Sequence, residues 1–363
     1  MSPPKYGLKD LGLYFLRLGA TGFGGPVALI AYMHRDLVEN RRWFSEDEYK
    51  EGITLANLTP GPVATQLGIF LGYAHHGVRG ATIAGLCFVL PAFLIVVGLA
   101  WIYQSFGTLA WIQSAFRAVG AAIIGIVAFS AYRLLKKTIE PEPVQWAIVA
   151  VMAAATAWLK AESLALFLGC GLALMLAREP LWPGRRLACL NWPLLATLFL
   201  FFGKAGAMVF GSGLVIVPFL YGGVVAEHRW LTDQQFVDAV AVAVITPGPV
   251  VITVGFIGFL VSGLSGAVAA TLGTFLPCYL FTLIGAPYLR RYGASPRIKA
   301  FVDGVTAAAM GALAGAVLLL ARRTLPDATS VAFAAGALGL VMRQVPEPLI
   351  VLGAAALGAA FIR

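Results

Sequence analysis

The chain has 363 residues, of which 60% are hydrophobic and only 12% are charged. This composition excludes a soluble globular protein and is typical of a polytopic membrane protein. The formal net charge is +9. Many of the lysines and arginines lie in short loops, as the positive-inside bias predicts, so the charge does not indicate a nucleic-acid partner.

Twelve apolar segments follow one another along the chain and predict an all-α membrane protein. Six fall in residues 1–180, which we define as the N-terminal transporter repeat, and six in residues 194–363, the C-terminal transporter repeat. A linker is predicted at 181–193, where proline, glycine and arginine interrupt the apolar pattern. The segments lie near 8–33, 52–73, 79–103, 110–135, 144–160, 163–178, 194–226, 236–260, 263–289, 298–321, 328–342 and 346–362.

Motifs of the first half recur in the second half in the same order. Thr59-Pro60-Gly61-Pro62 returns 187 residues later as Thr246-Pro247-Gly248-Pro249, and Arg42-Trp43 returns at the same offset as Arg229-Trp230. A repeat of this length, with its motifs in register, indicates an internal duplication.

The loop charges favour an inverted arrangement of the two halves. The loop after the second segment carries His75, His76 and Arg79 in the first half, whereas its counterpart at 260–265 has no cation. The loop after the third segment has the opposite distribution of charge, because its cations lie in the second half, at 290–299. Inversion needs an odd number of crossings in each half, so we expect five, with segment 8–38 forming a re-entrant hairpin.

Each Thr-Pro-Gly-Pro sequence lies inside an apolar stretch and must break the helix there, since proline removes a backbone donor and clashes with the preceding turn. Broken backbone within a membrane is tolerated only where protein or a watery cavity covers it. A helix that begins at the membrane midplane directs free N–H groups and a positive dipole into that cavity. Paired breaks therefore predict an anion site, to which Thr59 and Thr246 would add hydroxyl donors.

A glycine break precedes each of these motifs. Gly22-Phe23-Gly24-Gly25-Pro26 is matched by Val209-Phe210-Gly211-Ser212-Gly213. A cation stands shortly before each break, Arg17 in the first half and Lys204 in the second. Because a cation inside a membrane is costly, both are candidate substrate ligands. The alternative for Arg17 is a side chain that snorkels to the interface.

Acidic residues supply candidate coupling groups. Glu51 corresponds to Asp238 near the start of the second segment, and the alternative for this pair is two ordinary interfacial carboxylates. Asp303 stands opposite Arg117 in the alignment of the halves. Protonation of Asp303 during transport and a structural ion pair between Asp303 and Arg117 both remain open.

No pattern indicates an enzyme, a cofactor or a metal site. The four cysteines are scattered without CxxC spacing, and neither HExxH nor GxSxG is found. We therefore expect no cofactor and no metal.

Together these motifs resemble the chromate ion transporter family in its long, two-domain form. The resemblance extends from about residue 8 to residue 322. It rests on Phe23-Gly24-Gly25-Pro26, Trp43 and Pro60-Gly61-Pro62, and on the second copies Phe210-Gly211-Ser212-Gly213, Trp230 and Pro247-Gly248-Pro249.

The resemblance implies a secondary transporter that exports chromate from the bacterial cytoplasm across the inner membrane. The driving force would be the proton gradient or the membrane potential, and the halves would have opposite orientations. Ser212-Gly213 departs from the Gly-Pro of the first half, so the first half-site is expected to dominate binding.

Chromate and sulfate are both tetrahedral dianions, so sulfate transport or a passive anion channel stays open, and a membrane-embedded enzyme is the third alternative. The expected partners are the oxyanion and the lipid bilayer, and a homodimer is an open alternative. The predicted substrate-binding residues are Arg17, Phe23, Gly24, Gly25, Thr59, Pro60, Gly61, Pro62, Lys204, Phe210, Gly211, Ser212, Thr246, Pro247, Gly248 and Pro249, and the predicted coupling residues are Glu51, Arg117, Asp238 and Asp303.

Overall fold

The computed structural model describes residues 6–23, 25–106, 110–139, 141–159, 169–170, 172–174, 194–209, 216–292 and 296–361. Within these ranges the ordered elements are helices and there is no β-strand, which confirms the all-α prediction. The first repeat contains α1 (Leu8–Thr21), α2 (Gly25–Met33, continued by a π-helix over His34–Asn40), α3 (Glu46–Leu58), α4 (Val63–Phe106), α5 (Ala110–Thr138) and α6 (Pro143–Leu159). The second contains α7 (Leu194–Gly206), α8 (Ile216–Leu220, continued by a π-helix over Tyr221–Glu227), α9 (Asp233–Ile245), α10 (Thr253–Tyr292), α11 (Pro296–Thr324), α12 (Ala328–Met342) and α13 (Glu347–Phe361).

Within the described ranges, four segments are long and apolar enough to cross a membrane: Val63–Phe106, Trp111–Arg133, Val250–Pro287 and Ala300–Arg322. They fall in corresponding places, two in each repeat. The protein is therefore a polytopic membrane protein built from two homologous repeats. The predicted linker at 181–193 lies outside the described residues.

The repeats agree in local detail. Helix α3 begins with a capping box between Ser45 and Glu48, and α9 begins with the same arrangement between Thr232 and Gln235. Such boxes satisfy amide groups that the first helical turn leaves unpaired. The corresponding arginines of the two repeats, Arg42 and Arg229, both have a positive φ of 52°.

Helix α4 is a hairpin of two helices rather than one straight rod. Its hinge, Gly77, has φ 58° and ψ −149°, and Gly263 in α10 has φ 58° and ψ −151°. A Cβ atom on Gly72 would collide with the carbonyl of Gly80, although these residues would be about 12 Å apart in a straight helix. The chain therefore reverses at Gly77, and Gly258 and Gly266 make the same close contact in α10.

The repeats are intertwined. Helix α5 of the first repeat packs on α12 and α13, and α11 of the second repeat packs on α6. Gly125 in α5 lies against the backbone of Ala334, while its counterpart Gly311 in α11 lies against the backbone of Val149. Contacts exchanged in this reciprocal way relate the repeats by a pseudo-two-fold axis. Whether that axis lies in the membrane plane stays a prediction.

Candidate functional site

Both Thr-Pro-Gly-Pro sequences interrupt their helices, as predicted. Helix α3 ends at Leu58 and α4 begins at Val63. In the second repeat α9 ends at Ile245, and a short 3-10 turn at Val250–Ile252 leads into α10. The central glycines have positive φ angles, 140° at Gly61 and 98° at Gly248, which only glycine adopts readily.

The two breaks of one repeat meet the two breaks of the other. The amide of Gly61 donates a hydrogen bond to the carbonyl of Val209 over 2.5 Å. The amide of Gly248 donates to the carbonyl of Gly22 over 2.9 Å. These bonds are reciprocal, because Gly22 and Val209 occupy corresponding positions. All four interruptions of helical structure therefore converge beside the pseudo-two-fold axis.

In this conformation several predicted anion donors are occupied. Two are the amides of Gly61 and Gly248, which close the contact between the repeats. The hydroxyl of Thr59 donates to the carbonyl of Leu55 over 2.8 Å, and that of Thr246 donates to the carbonyl of Val242 over 2.6 Å. An oxyanion at the breaks would thus require a conformation in which these donors are released.

The remaining predicted residues of the breaks differ in exposure. Pro60 is half-buried, whereas Pro62, Pro247 and Pro249 are buried. The side chain of Phe23 is 40% exposed. Gly25 is the first residue of α2. Gly24, Phe210, Gly211 and Ser212 lie outside the described residues.

Gln66 stabilises the first break, and sequence reasoning missed it. Its side chain is fully buried, and its Nε2 donates to the carbonyl of Pro60 over 2.7 Å and to Thr59 Oγ1 over 2.9 Å. The carbonyl of Pro60 only accepts, so the amide nitrogen must face it. A glutamine in an apolar segment, just after Pro62, was the available signal.

Arg17 lies on the exposed side of α1 and lines a cavity of about 400 Å³. Thr21 and Gly22 of the glycine break line the same cavity. Among the described residues, no carboxylate lies within 4.0 Å of the Arg17 guanidinium. Its counterpart Lys204 is exposed in the last turn of α7 and does not line this cavity.

Asp238 is a buried carboxylate at the interface of the repeats. Its side chain lies in α9 and is 1% exposed. The hydroxyl of Tyr103, from α4 of the other repeat, donates to Asp238 Oδ2 over 2.7 Å. Gln234 Nε2 donates to Asp238 Oδ1 over 2.8 Å. These partners were not predicted, because Tyr103 is distant in sequence and nothing local marks the pairing.

The other predicted coupling residues lie elsewhere. Glu51 is half-buried in α3, and Asp303 is half-buried in α11. Arg117 is exposed in α5. Hydrogen bonds from Ser330, and to a lesser extent the charge of Arg117, lower the pKa of Asp327 in the loop before α12. Pairing of Asp303 with Arg117 stays a prediction.

Residues 9–175 and 196–359 both match the profile of a family described as Chromate transporter. The chain belongs to the chromate transporter family. It is 54% identical to a chromate transport protein of Cupriavidus metallidurans, over 98% of this chain and 93% of that protein. It is 51% identical to a probable chromate transport protein of Synechococcus elongatus, over 99% and 96% of the two chains.

A chromate transport protein of Pseudomonas aeruginosa is 31% identical over 89% of this chain and 83% of its own. No solved structure matches the chain. Membership of the chromate transporter family confirms the predicted resemblance, and the matched region of the second repeat continues beyond residue 322 to include α12.

Proposed function

We propose that the protein is a secondary transporter that exports chromate from the cytoplasm across the inner membrane, using the proton gradient or the membrane potential. The observation that carries this proposal is the reciprocal hydrogen bonding between the helix breaks of the two repeats. Membership of the chromate transporter family supports chromate as the substrate.

In the proposed mechanism the repeats rock against one another about the pseudo-two-fold axis. This movement separates Gly61 from Val209 and Gly248 from Gly22, so the amides that close the central contact become free. Backbone N–H groups at helix breaks bind oxyanions well. Arg17 and Lys204 offset the two negative charges of chromate, which lowers the cost of carrying it through the membrane.

Asp238 is the proposed proton-binding residue. Removing a carboxylate from water is costly unless it is paired or neutralised. Asp238 is held by Tyr103 of the opposite repeat, so a change in its protonation alters a contact between the parts that move. Asp303 and Glu51 are the alternative proton-binding residues, with Arg117 as the proposed partner of Asp303.

The proposal is tested with the purified protein in proteoliposomes. We expect chromate accumulation that responds to an imposed proton gradient or membrane potential, and weaker transport of sulfate. Equal rates for the two anions would favour a general oxyanion transporter. Downhill flux that ignores both gradients would favour a channel, and catalytic reduction of chromate would favour an enzyme.

The site is tested with Arg17→Ala and Lys204→Ala. Each is expected to abolish chromate accumulation while the protein still reaches the membrane, because a substrate charge is left unbalanced. Arg79→Ala, which removes an exposed cation beside the α4 hinge, is the matched control and should retain transport. Wild-type rates in Arg17→Ala or Lys204→Ala would refute the assignment of that residue.

A further inference from the structure

The cavity beside α1 carries more anion-binding groups than Arg17 alone. Arg35 and Arg41 also line it, together with one carboxylate, Asp36. Three arginines against one aspartate leave a formal charge of +2, which equals in magnitude the charge of a tetrahedral oxyanion dianion. Asn40 adds a side-chain amide to the same wall.

The added arginines are held in place by their neighbours. Arg35 Nε lies 3.1 Å from Asp36 Oδ1. The Arg41 guanidinium lies 5.3 Å from the ring centre of Tyr14 and 4.7 Å from that of Trp43. Such contacts reduce the rotamer freedom that long cationic side chains lose on binding an anion. The arginines are therefore partly ordered before a ligand arrives.

Tyr14 provides an independent sign of a ligand. It lines the cavity, its side chain is only 6% exposed, and its hydroxyl has no hydrogen-bond partner among the described residues. A buried hydroxyl without a partner is unfavourable. Its O–H group would be satisfied by a ligand that presents an acceptor oxygen, as an oxyanion does.

The position of the cavity connects it to the centre of the molecule. Gly22 lines the cavity, and its carbonyl accepts the hydrogen bond from Gly248 that joins the repeats. Arg35 and Arg41 of the cavity wall lie in the segment between the end of α2 at Met33 and the start of α3 at Glu46. The positive-inside bias places the cations of this segment on the cytoplasmic side. The cavity thus runs from the cytoplasmic face to the crossing of the helix breaks.

The second repeat lacks this set of residues. At the corresponding positions, Arg35 is replaced by Gly222, Arg41 by His228, Tyr14 by Phe201 and Asn40 by Glu227. The pseudo-symmetric surface would therefore bind an anion poorly. In inverted repeats that surface faces the opposite side of the membrane.

We propose that the cavity is a cytoplasmic loading site for a tetrahedral oxyanion dianion, with Arg35, Arg41 and Tyr14 as binding residues beside Arg17. This inference rests on the proposed export function, because it names the entry point of the same pathway. The anion binds first in the cavity and passes to the helix breaks when the Gly22–Gly248 contact opens. Affinity for chromate is then higher at the cytoplasmic face than at the opposite face.

The test uses a variant with both Arg35→Gln and Arg41→Gln, and a second variant with Tyr14→Phe. In proteoliposomes whose outward face is the cytoplasmic face, we expect the KM for chromate to rise roughly tenfold or more in the double variant and severalfold in Tyr14→Phe. The maximal rate should change little. Arg79→Gln, which removes a cation outside the cavity, should keep KM within about twofold. A variant with Arg35→Lys and Arg41→Lys retains the charge and should recover part of the affinity.

A second measurement separates this inference from the export proposal. Purified protein in detergent is melted with increasing chromate or sulfate, and each anion is expected to raise Tm in the wild type but much less in the double glutamine variant. If this loss is seen without any chromate flux, the loading site stands and the export proposal fails. A wild-type KM in the double variant, or an anion-dependent Tm shift equal to that of the wild type, would overturn the loading site.

Discussion

At the residue scale, Asp238 combines burial with a partner from the other repeat. Its carboxylate accepts hydrogen bonds from Tyr103 and Gln234, and both donors favour the charged form, whereas burial favours the neutral form. These opposing effects fit the proposed role of Asp238 as a proton-binding group.

Asp238→Asn is therefore expected to abolish the coupling of chromate transport to protons, while transport of chromate itself continues. Asparagine keeps the size of the side chain and one acceptor oxygen but binds no proton. Chromate exchange at equilibrium should persist, while accumulation driven by a proton gradient is lost. Both are measured in proteoliposomes, with Asp47→Asn on the exposed side of α3 as the control. Undiminished proton-driven accumulation in Asp238→Asn would remove Asp238 from the mechanism.

Gln66 leads to a second prediction at this scale. Gln66→Leu keeps the volume of the side chain but leaves the carbonyl of Pro60 without its donor. The hydrogen bonds from Nε2 to the carbonyl of Pro60 and to Thr59 Oγ1 are lost, whereas the buried Oε1, which has no partner among the described residues, is removed as well, so Tm should fall modestly and transport should weaken. Gln113→Leu on the exposed side of α5 serves as the control and should leave Tm nearly unchanged. Equal melting curves for Gln66→Leu and the wild type would contradict the role of Gln66 at the break.

The sequence identifies residues that are unusual for their surroundings, such as a helix breaker or a charge in an apolar segment. It does not identify the residues that they contact in the folded protein. Pro-Gly-Pro cannot continue a helix, and a charge in an apolar segment is expensive, so the breaks, Arg17 and Asp238 are recognisable in isolation. Tyr103 is an ordinary aromatic residue until the fold brings it to Asp238. Arg35 likewise counts as a loop cation until the fold brings the π-helix after α2 and helix α1 to the wall of the same cavity.

At the element scale, the hinge of α4 depends on a backbone conformation that is almost restricted to glycine. Gly77→Ala introduces a methyl group with no heavy atom within 4 Å, so any loss of stability comes from the backbone angles alone. We expect a loss of about 1–3 kcal/mol, measured as a lower Tm in detergent. Gly263→Ala should behave in the same way.

The control for this prediction lies in the same helix. Gly98 also has open space around its Cβ position, but it lies outside the non-helical hinge of α4. Gly98→Ala should be neutral or stabilise the protein by about 0.5–1 kcal/mol, because alanine is the better helix former. Equal destabilisation by Gly77→Ala and Gly98→Ala would show that the φ angle of the hinge is not the cause.

The start of α3 gives a pH-dependent prediction. Partial burial raises the pKa of Glu48, but hydrogen bonds from Ser45 and His75 outweigh it and lower the pKa overall. A carboxylate with a lowered pKa stabilises the folded state above its unfolded pKa, and this stabilisation is lost as the pH falls through the folded value. Glu48→Gln keeps the capping box, as Gln235 does in the second repeat.

We therefore expect wild-type protein to have the higher Tm above about pH 5, and the difference from Glu48→Gln to disappear at more acidic pH. Thermal melting of both proteins across this pH range measures the effect. A difference in Tm between the wild type and Glu48→Gln that grows as the pH falls would contradict the prediction.

At the scale of the whole molecule, the duplication produces one intertwined unit rather than two adjacent bundles. The apolar pattern predicts where the helical segments of the described residues follow one another along the chain. It does not predict that α5 packs on α12 or α11 on α6, because such exchange depends on glycine contacts between distant segments. A two-fold axis follows from these contacts, but an axis in the membrane plane and an axis along the membrane normal would give the same contacts.

The loop charges favour the axis in the membrane plane, and the hinges of the two hairpins offer a direct test. Val78 and Leu264 occupy corresponding positions next to the hinge glycines, and they are 57% and 58% exposed. Val78 stands beside His75, His76 and Arg79, whereas the loop before Leu264 has no cation. Inverted repeats place these two residues on opposite sides of the membrane.

Val78→Cys and Leu264→Cys would be introduced separately into a chain whose four natural cysteines are replaced by serine. A membrane-impermeant maleimide should label Leu264→Cys in intact cells, and Val78→Cys only after the membrane is permeabilised. Both variants must react with a permeant maleimide and retain chromate transport, so that a missing signal reflects sidedness and not misfolding. Labelling of both cysteines from the same side would mean that the repeats are parallel. The weaker pseudo-symmetric surface of the second repeat would then lie on the same face as the loading cavity, and it would no longer explain a lower affinity at the opposite face.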